Sequence, residues 1–143
     1  MVADLDDVLE TAALNDTERR VVKRILARLR FKLGSDLLAV WLYGSRARGE
    51  ADPTETDPDL RSDVDLLAIV DPSRDVPELQ RWGLPMVEEE GDAEGDSPVY
   101  YSLRVFDTEW LRGRRRIRSF FIQEVDRDKL ILAGGRLDGV EYQ

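Results

Sequence analysis

The sequence predicts an α+β fold, in which a small mixed β-sheet is backed by helices on one face. Two short apolar runs, Leu37–Tyr43 and Val64–Val70, are rich in bulky residues and are typical of buried strands. A third observation is a long segment before Gly34 in which apolar residues recur at helical spacing. We therefore expect a core formed between helices and sheet.

Two helices are predicted before the first strand. Leu5–Leu14 has the pattern of a short amphipathic helix, and Asp16 is predicted to be the N-cap of a second helix that ends at Gly34. The apolar stripe of the second helix is expected to face the core. It consists of Val21, Val22, Ile25, Leu26, Leu29 and Leu33.

The second half of the chain alternates between helical and strand patterns. A helix over Pro77–Glu90 is expected to be interrupted near Gly83-Leu84-Pro85, because proline lacks an N–H donor. Asp107 is predicted to be a helix N-cap at the end of a strand. The other predicted elements are a flexible acidic turn Gly91–Ser97, a strand Val99–Phe106, helices Thr108–Arg112 and Ile117–Val125, and a last strand Leu130–Leu132.

Length and composition limit the classes of protein that fit. A chain of 143 residues is expected to form one domain over residues 1–143 with a single core. The absence of cysteine and histidine excludes disulfides, thiolate chemistry, histidine acid–base catalysis and histidine-ligated zinc. No long apolar run or signal-peptide pattern is present, so we expect a cytoplasmic protein with no membrane partner.

The charge is strongly negative and unevenly distributed. A net charge of −9 argues against general binding to a nucleic-acid backbone. Acidic residues crowd Glu50–Asp65 and Glu88–Asp96, whereas arginines cluster over Arg112–Arg118. This arginine cluster fits a solvated helix face, a clamp for a triphosphate or a docking patch for an acidic partner, and the sequence leaves these alternatives open.

The ends of the two predicted strands carry residues suited to phosphate and metal binding. Gly44 and Ser45 follow the first strand, and a sharp turn there can aim backbone N–H groups and a hydroxyl at a phosphate. Asp63 and Asp65 are two residues apart at the start of the second strand, which places both carboxylates on one face. Hard oxygen ligands beside a phosphate site favour Mg²⁺. The pattern therefore predicts a metal-dependent nucleotide site.

This arrangement resembles the motif of the nucleotidyltransferase superfamily of polymerase beta-like proteins, which is Gly-Ser followed by Asp-x-Asp. The chain is most similar to its minimal stand-alone members. The resemblance implies that Gly44 and Ser45 bind the phosphates of ATP or another nucleoside triphosphate. It also implies that Asp63 and Asp65 are catalytic ligands of one or two Mg²⁺ ions.

The resemblance extends to most of the chain. Arg46 and Arg48 match the basic residues that usually follow the Gly-Ser pair, so they are expected to bind the nucleotide. Phe121–Val125 and Asp128–Leu132 are similar to the last helix and the last strand of the family.

Two departures from the family pattern affect the expected function. The segment between the two halves of the motif is longer than in the minimal members, and its extra part, Ala51–Arg61, is expected to form a mobile acidic loop. Ser102 stands where active members usually have a third carboxylate, and a serine cannot act as that base. Arg104 shares the strand face with Ser102 by alternation. An active enzyme would therefore need another base or an acceptor that is already acidified.

Three functional hypotheses follow from the resemblance. Similar minimal members are antitoxins that transfer AMP to a tyrosine of an all-helical HEPN-type ribonuclease toxin, so the leading hypothesis is transfer to a hydroxyl of a partner protein. The second is transfer to a small molecule such as an aminoglycoside, with the acceptor pocket formed when the chain dimerises as a homo-oligomer. The third, motivated by Ser102, is an inactive module that binds a nucleotide or a partner.

Overall fold

The computed structural model describes residues 4–50, 63–95 and 99–141, which contain six α-helices and four strands. The predicted acidic loop Ala51–Arg61 lies outside the described residues. In chain order the elements are α1 (Leu5–Thr11), α2 (Asp16–Leu33), a 3₁₀ turn (Gly34–Asp36), β1 (Leu37–Tyr43), α3 (Ser45–Arg48), β2 (Val64–Val70), α4 (Val76–Asp92), β3 (Tyr101–Asp107), α5 (Thr108–Arg116), α6 (Phe120–Asp128) and β4 (Leu130–Gly134).

The four strands form one mixed sheet in the order β3-β2-β1-β4. β1 pairs antiparallel with both β2 and β4, whereas β2 and β3 are parallel. The prediction of a small mixed sheet backed by helices is confirmed. The register places Tyr43 opposite Asp65, and Asp65 opposite Ser102. One row across three strands therefore contains a tyrosine, a carboxylate and a serine.

Helices cover both faces of this sheet, so the expectation of helices on one face is wrong. Leu42 and Leu66 point toward the cluster that contains residues of α1, α2 and α4. Trp41 and Leu67 point to the opposite side, where they pack with residues of α5 and α6. The reason is visible in the two central strands, whose apolar side chains occupy both alternating faces and need cover on each.

The second helix begins with a different cap from the one predicted. Asn15, not Asp16, is the N-cap of α2, because the Asn15 side chain accepts a hydrogen bond of 2.8 Å from the Glu18 N–H. The Glu18 carboxylate in turn accepts a hydrogen bond of 2.9 Å from the Asn15 N–H. This reciprocal capping box satisfies two N–H groups and fixes where α2 begins.

The predicted break in α4 is also wrong, because the helix continues through Pro85 to Asp92. Proline costs one backbone hydrogen bond, but tertiary packing on β3 holds the helix together. A Cβ at Gly83 would lie 2.9 Å from the Leu103 side chain, and Met86 and Val87 are buried. Gly91 and Asp92 therefore belong to α4 rather than to the predicted acidic turn.

The elements around the arginine cluster differ in length from those predicted. β3 begins at Tyr101, α5 extends to Arg116 and α6 begins at Phe120, after Arg118 adopts the left-handed conformation with φ 52°. Asp107 is the N-cap of α5, as predicted, since its side chain accepts a hydrogen bond from the Trp110 N–H. In residues 4–50, 63–95 and 99–141, every helix lacks the combination of length and apolar character needed to cross a bilayer.

Candidate functional site

The turn after β1 requires glycine for two independent reasons. Gly44 has φ +80°, a conformation that L-residues with a side chain rarely adopt. A Cβ at Gly44 would also lie only 2.8 Å from Oδ2 of Asp65. The turn that precedes Ser45 is therefore in direct proximity to the carboxylate of the neighbouring strand. The structure brings the two halves of the sequence motif together at one end of the sheet.

Asp65 is the central carboxylate of the site. Ser102 donates a hydrogen bond of 2.9 Å from its hydroxyl to Oδ1 of Asp65. Burial raises the pKa of the Asp65 carboxyl and the nearby Asp63 charge acts in the same direction, whereas the Ser102 hydrogen bond and Arg104 oppose the increase. Asp63 lies just before β2 and is exposed. A cation bound beside both carboxylates would relieve their repulsion.

A cleft of about 350 Å³ opens at this end of the sheet. Four residues of the motif line it, namely Gly44, Ser45, Arg48 and Asp65. The other walls include Tyr43 and two residues of α6, Phe121 and Glu124. The cleft is therefore polar at the motif and carries an additional carboxylate from a helix that is distant in sequence.

Sequence reasoning did not identify Tyr43, Phe121 or Glu124 as site residues. Tyr43 immediately precedes the Gly-Ser pair and faces the same side as Asp65, so alternation along β1 could have identified it. Phe121 and Glu124 enter the site only because α6 packs across the sheet. The Phe121 ring contacts the Tyr43 ring edge-on at 5.6 Å, and this contact fixes the wall of the cleft. Burial raises the pKa of the Tyr43 hydroxyl, and the Asp65 charge adds to that effect.

The two arginines that follow Ser45 have different environments. Arg46, expected to bind the nucleotide, is completely buried and forms hydrogen bonds of 2.7 and 3.1 Å with the Glu18 carboxylate. It also donates to the Ala13 carbonyl at 2.9 Å. Its guanidinium therefore joins α3 to α2, and we correct the expectation that it binds nucleotide. Arg48 is partly exposed, lines the cleft and is positioned to meet a phosphate.

The arginine cluster over residues 112–118 is not one uniform surface. Arg115 is buried and forms hydrogen bonds of 2.8 and 2.9 Å with the Asp126 carboxylate, and it also donates to the Val140 carbonyl at 2.7 Å. Arg112 pairs with the exposed Glu109. The centre of the cluster thus anchors α5 to α6 and to the C-terminal segment, and does not form a triphosphate clamp.

The carboxylates at this end of the sheet fit a Mg²⁺ ion that is also bound by substrate phosphates. They are fewer than a Mg²⁺ site built only from protein ligands would need. Within residues 4–50, 63–95 and 99–141, no three Asp, Glu, His or Cys side chains form a group that could hold a metal. Asp63 and Asp65 supply two hard oxygen ligands, and Mg²⁺ is commonly held by one or two carboxylates together with substrate phosphates. Ser102 occupies the neighbouring position on β3, in register with Asp65.

Comparisons with known proteins give low overall similarity. No protein-family model and no curated protein sequence matches the chain. Among solved structures, a protein from Sulfolobus solfataricus provisionally described as a nucleotidyltransferase aligns with 18% identity and a TM-score of 0.45, over 92% of this chain and 87% of its own. A structure described as a toxin-antitoxin with AMP-PNP aligns with 18% identity and a TM-score of 0.43, over 81% of this chain and 76% of its own. These similarities are too low to indicate what this chain binds.

Proposed function

We propose that the chain is a Mg²⁺-dependent nucleotidyltransferase that moves a nucleoside monophosphate, AMP from ATP, onto a hydroxyl of a partner protein. One observation carries the proposal. The Gly44 turn and the Asp65 carboxylate meet at a cleft that also exposes Ser45 and Arg48. Phosphate-binding and metal-binding groups that are distant in sequence thus converge where a triphosphate would need both.

Each group has a defined role in this proposal. Ser45, the Gly44 turn and Arg48 hold the outer phosphates, and Asp63 with Asp65 holds the cation. Bound Mg²⁺ supplies positive charge that polarises the phosphates and stabilises the departing pyrophosphate. The protein mainly positions the reactants and neutralises charge, which is sufficient for this class of reaction.

The transfer step needs a proton acceptor. A bond forms between the acceptor hydroxyl oxygen and the α-phosphorus. The bond that breaks joins the α-phosphorus to the oxygen that bridges to the β-phosphate. Pyrophosphate leaves with the electron pair of the broken bond. Ser102 donates its own hydrogen to Asp65 and cannot take the hydroxyl proton. Glu124 lines the cleft and is the carboxylate that we assign to accept it.

The partner in this proposal is a helical ribonuclease toxin of the HEPN type, so that the chain would act in the cytoplasm as the antitoxin of a toxin–antitoxin pair. The support for this is the resemblance of the Gly44 to Asp65 motif to minimal nucleotidyltransferases.

A second candidate function rests on Ser102. Its hydrogen bond to Asp65 occupies the place of the usual third carboxylate, so the cleft is also compatible with nucleotide binding without transfer. In that case the chain would be a nucleotide-responsive binding module.

Two measurements test these proposals. The first is calorimetric titration with Mg-ATP of the wild type, of Asp65→Asn and of the matched control Asp71→Asn, which changes a carboxylate at the other end of β2. We expect Asp65→Asn alone to abolish binding, and unchanged affinity in that variant would refute the metal assignment.

The second measurement is the intact mass of a HEPN-type helical protein, supplied as the partner, after incubation with the chain and Mg-ATP. We expect an added adenylyl group with the wild type and a reduction of about 10²–10⁴-fold in its rate of formation with Glu124→Gln. Nucleotide binding without any adduct would favour the binding module.

A further inference from the structure

The number of cations that the cleft can hold is limited by its carboxylates. A two-metal site clamps both the attacking and the leaving oxygen and needs ligands that bridge or surround two ions. Here Asp63 and Asp65 are the strand carboxylates, and Oδ1 of Asp65 already accepts the Ser102 hydroxyl at 2.9 Å. No group of three metal-binding side chains occurs in the described part of the chain. The described residues therefore match the requirements of one divalent cation.

Arg104 provides a fixed positive charge on the same face of the sheet. It lies two residues after Ser102 on β3, so alternation places both side chains on one face. Its register partner is Leu67, two residues beyond Asp65, which makes Arg104 a diagonal neighbour of that aspartate. The guanidinium is 5.6 Å from the centre of the Phe121 ring, a wall of the cleft. The ring holds the cation at the edge of the site while leaving Arg104 exposed.

We infer that the cleft binds a nucleoside triphosphate with a single divalent cation, and that Arg104 supplies the positive charge that a second cation would supply. This inference rests on the proposed nucleotide site. A guanidinium suits this task because its planar donors match phosphate oxygens and it stays charged at all accessible pH values. The pair Ser102 and Arg104 thus replaces the pair of a third carboxylate and its second metal ion. Positive charge beside the phosphates is thereby retained, although β3 carries a serine rather than a carboxylate in register with Asp65.

The experiment counts bound ions directly. Mn²⁺ replaces Mg²⁺, and the nucleotide is an ATP analogue with a methylene bridge between the α- and β-phosphates, so that pyrophosphate cannot leave. Electron paramagnetic resonance measures the Mn²⁺ bound per chain at saturating analogue, and calorimetry measures the affinity for the analogue. We expect one Mn²⁺ per chain in the wild type.

Variants of Arg104 distinguish its proposed role from a general charge effect. Arg104→Met should weaken analogue binding by about 10- to 100-fold, the scale of lost charged hydrogen bonds, with one Mn²⁺ still bound. Arg81→Met is the matched control, because Arg81 is exposed on α4 at the opposite face of the sheet, and it should bind like the wild type. The double variant Ser102→Asp with Arg104→Met should bind two Mn²⁺ and recover much of the lost affinity. Far-ultraviolet circular dichroism verifies that each variant is folded.

The outcomes separate this inference from the proposed function. Two Mn²⁺ per wild-type chain with tight analogue binding would overturn the inference and leave the nucleotide site intact. Equal affinities of Arg104→Met and Arg81→Met would also overturn it. Failure of the wild type to bind the analogue with Mn²⁺ would reject both the inference and the nucleotide site on which it rests.

Discussion

Arg46 and Arg48 are separated by one residue, yet the structure predicts opposite consequences when each is changed to methionine. Arg46→Met leaves the buried Glu18 carboxylate without the guanidinium that forms hydrogen bonds of 2.7 and 3.1 Å with it. Removing one partner of a buried pair costs about 3–5 kcal/mol. Because small domains are stable by about 5–15 kcal/mol, this loss is a large part of the total free energy of unfolding.

Arg48→Met should have the reverse pattern. Arg48 pairs at 3.0 Å with Glu50, whose side chain is 62% exposed, and such surface pairs contribute about 0–1 kcal/mol. Arg48 also lines the cleft, so its loss should weaken Mg-ATP binding while stability is nearly unchanged. Urea denaturation measures the free energy of unfolding of each variant, and calorimetry measures its affinity for Mg-ATP.

A compensating variant keeps this prediction testable if Arg46→Met does not fold. Glu18→Gln removes the uncompensated charge and retains the side-chain oxygen that accepts the Asn15 N–H in the capping box. The double variant Glu18→Gln with Arg46→Met should therefore recover part of the lost stability. If Arg46→Met is as stable as Arg48→Met, or if the double variant is less stable than Arg46→Met, our explanation of the buried pair is refuted.

Three further outcomes are expected. Gly44→Ala should lower the free energy of unfolding by about 1–2 kcal/mol, because residue 44 has a positive φ, and urea denaturation would measure this loss. The added Cβ should also displace Asp65 and weaken Mg-ATP binding, which calorimetry would measure. Mg-ATP binding should weaken as pH falls through the raised pKa of Asp65. Ser102→Ala removes a hydrogen bond that lowers this pKa, so it should move the midpoint of the pH dependence of binding to higher pH. An unmoved midpoint would contradict the assignment of that pH dependence to Asp65. Burial tends to raise the pKa of Asp126, but hydrogen bonds from Arg115 and Lys129 hold this pKa below its usual value of 3.8. The contribution of the Asp126 carboxylate to stability is therefore complete above pH 3.8 and is lost as pH falls through the depressed pKa. The stability difference between wild type and Asp126→Asn, measured by urea denaturation, should therefore shrink in acid, and a constant difference would exclude this origin.

The local features of the fold could be predicted from the sequence. The bounds of β1 and β2 match the two apolar runs, and Asp107 caps α5 as its position predicts. These features depend on residues close in sequence, where periodicity and capping preferences act, so the amino-acid order is sufficient to predict them.

Tertiary packing decided the features that depend on contacts between distant residues. The sequence gives no means to tell Arg46 from Arg48, because their roles depend on whether Glu18 of α2 lies against α3. Likewise, α4 continues through Pro85 because β3 packs on it, and Glu124 enters the cleft because α6 crosses the face of the sheet that was expected to be open. The sequence by itself determined the strands and the motif that they carry. Only the three-dimensional packing decided which charged side chains are buried in pairs and which remain exposed in the cleft, since the free energy of a buried charge depends on neighbours far along the chain.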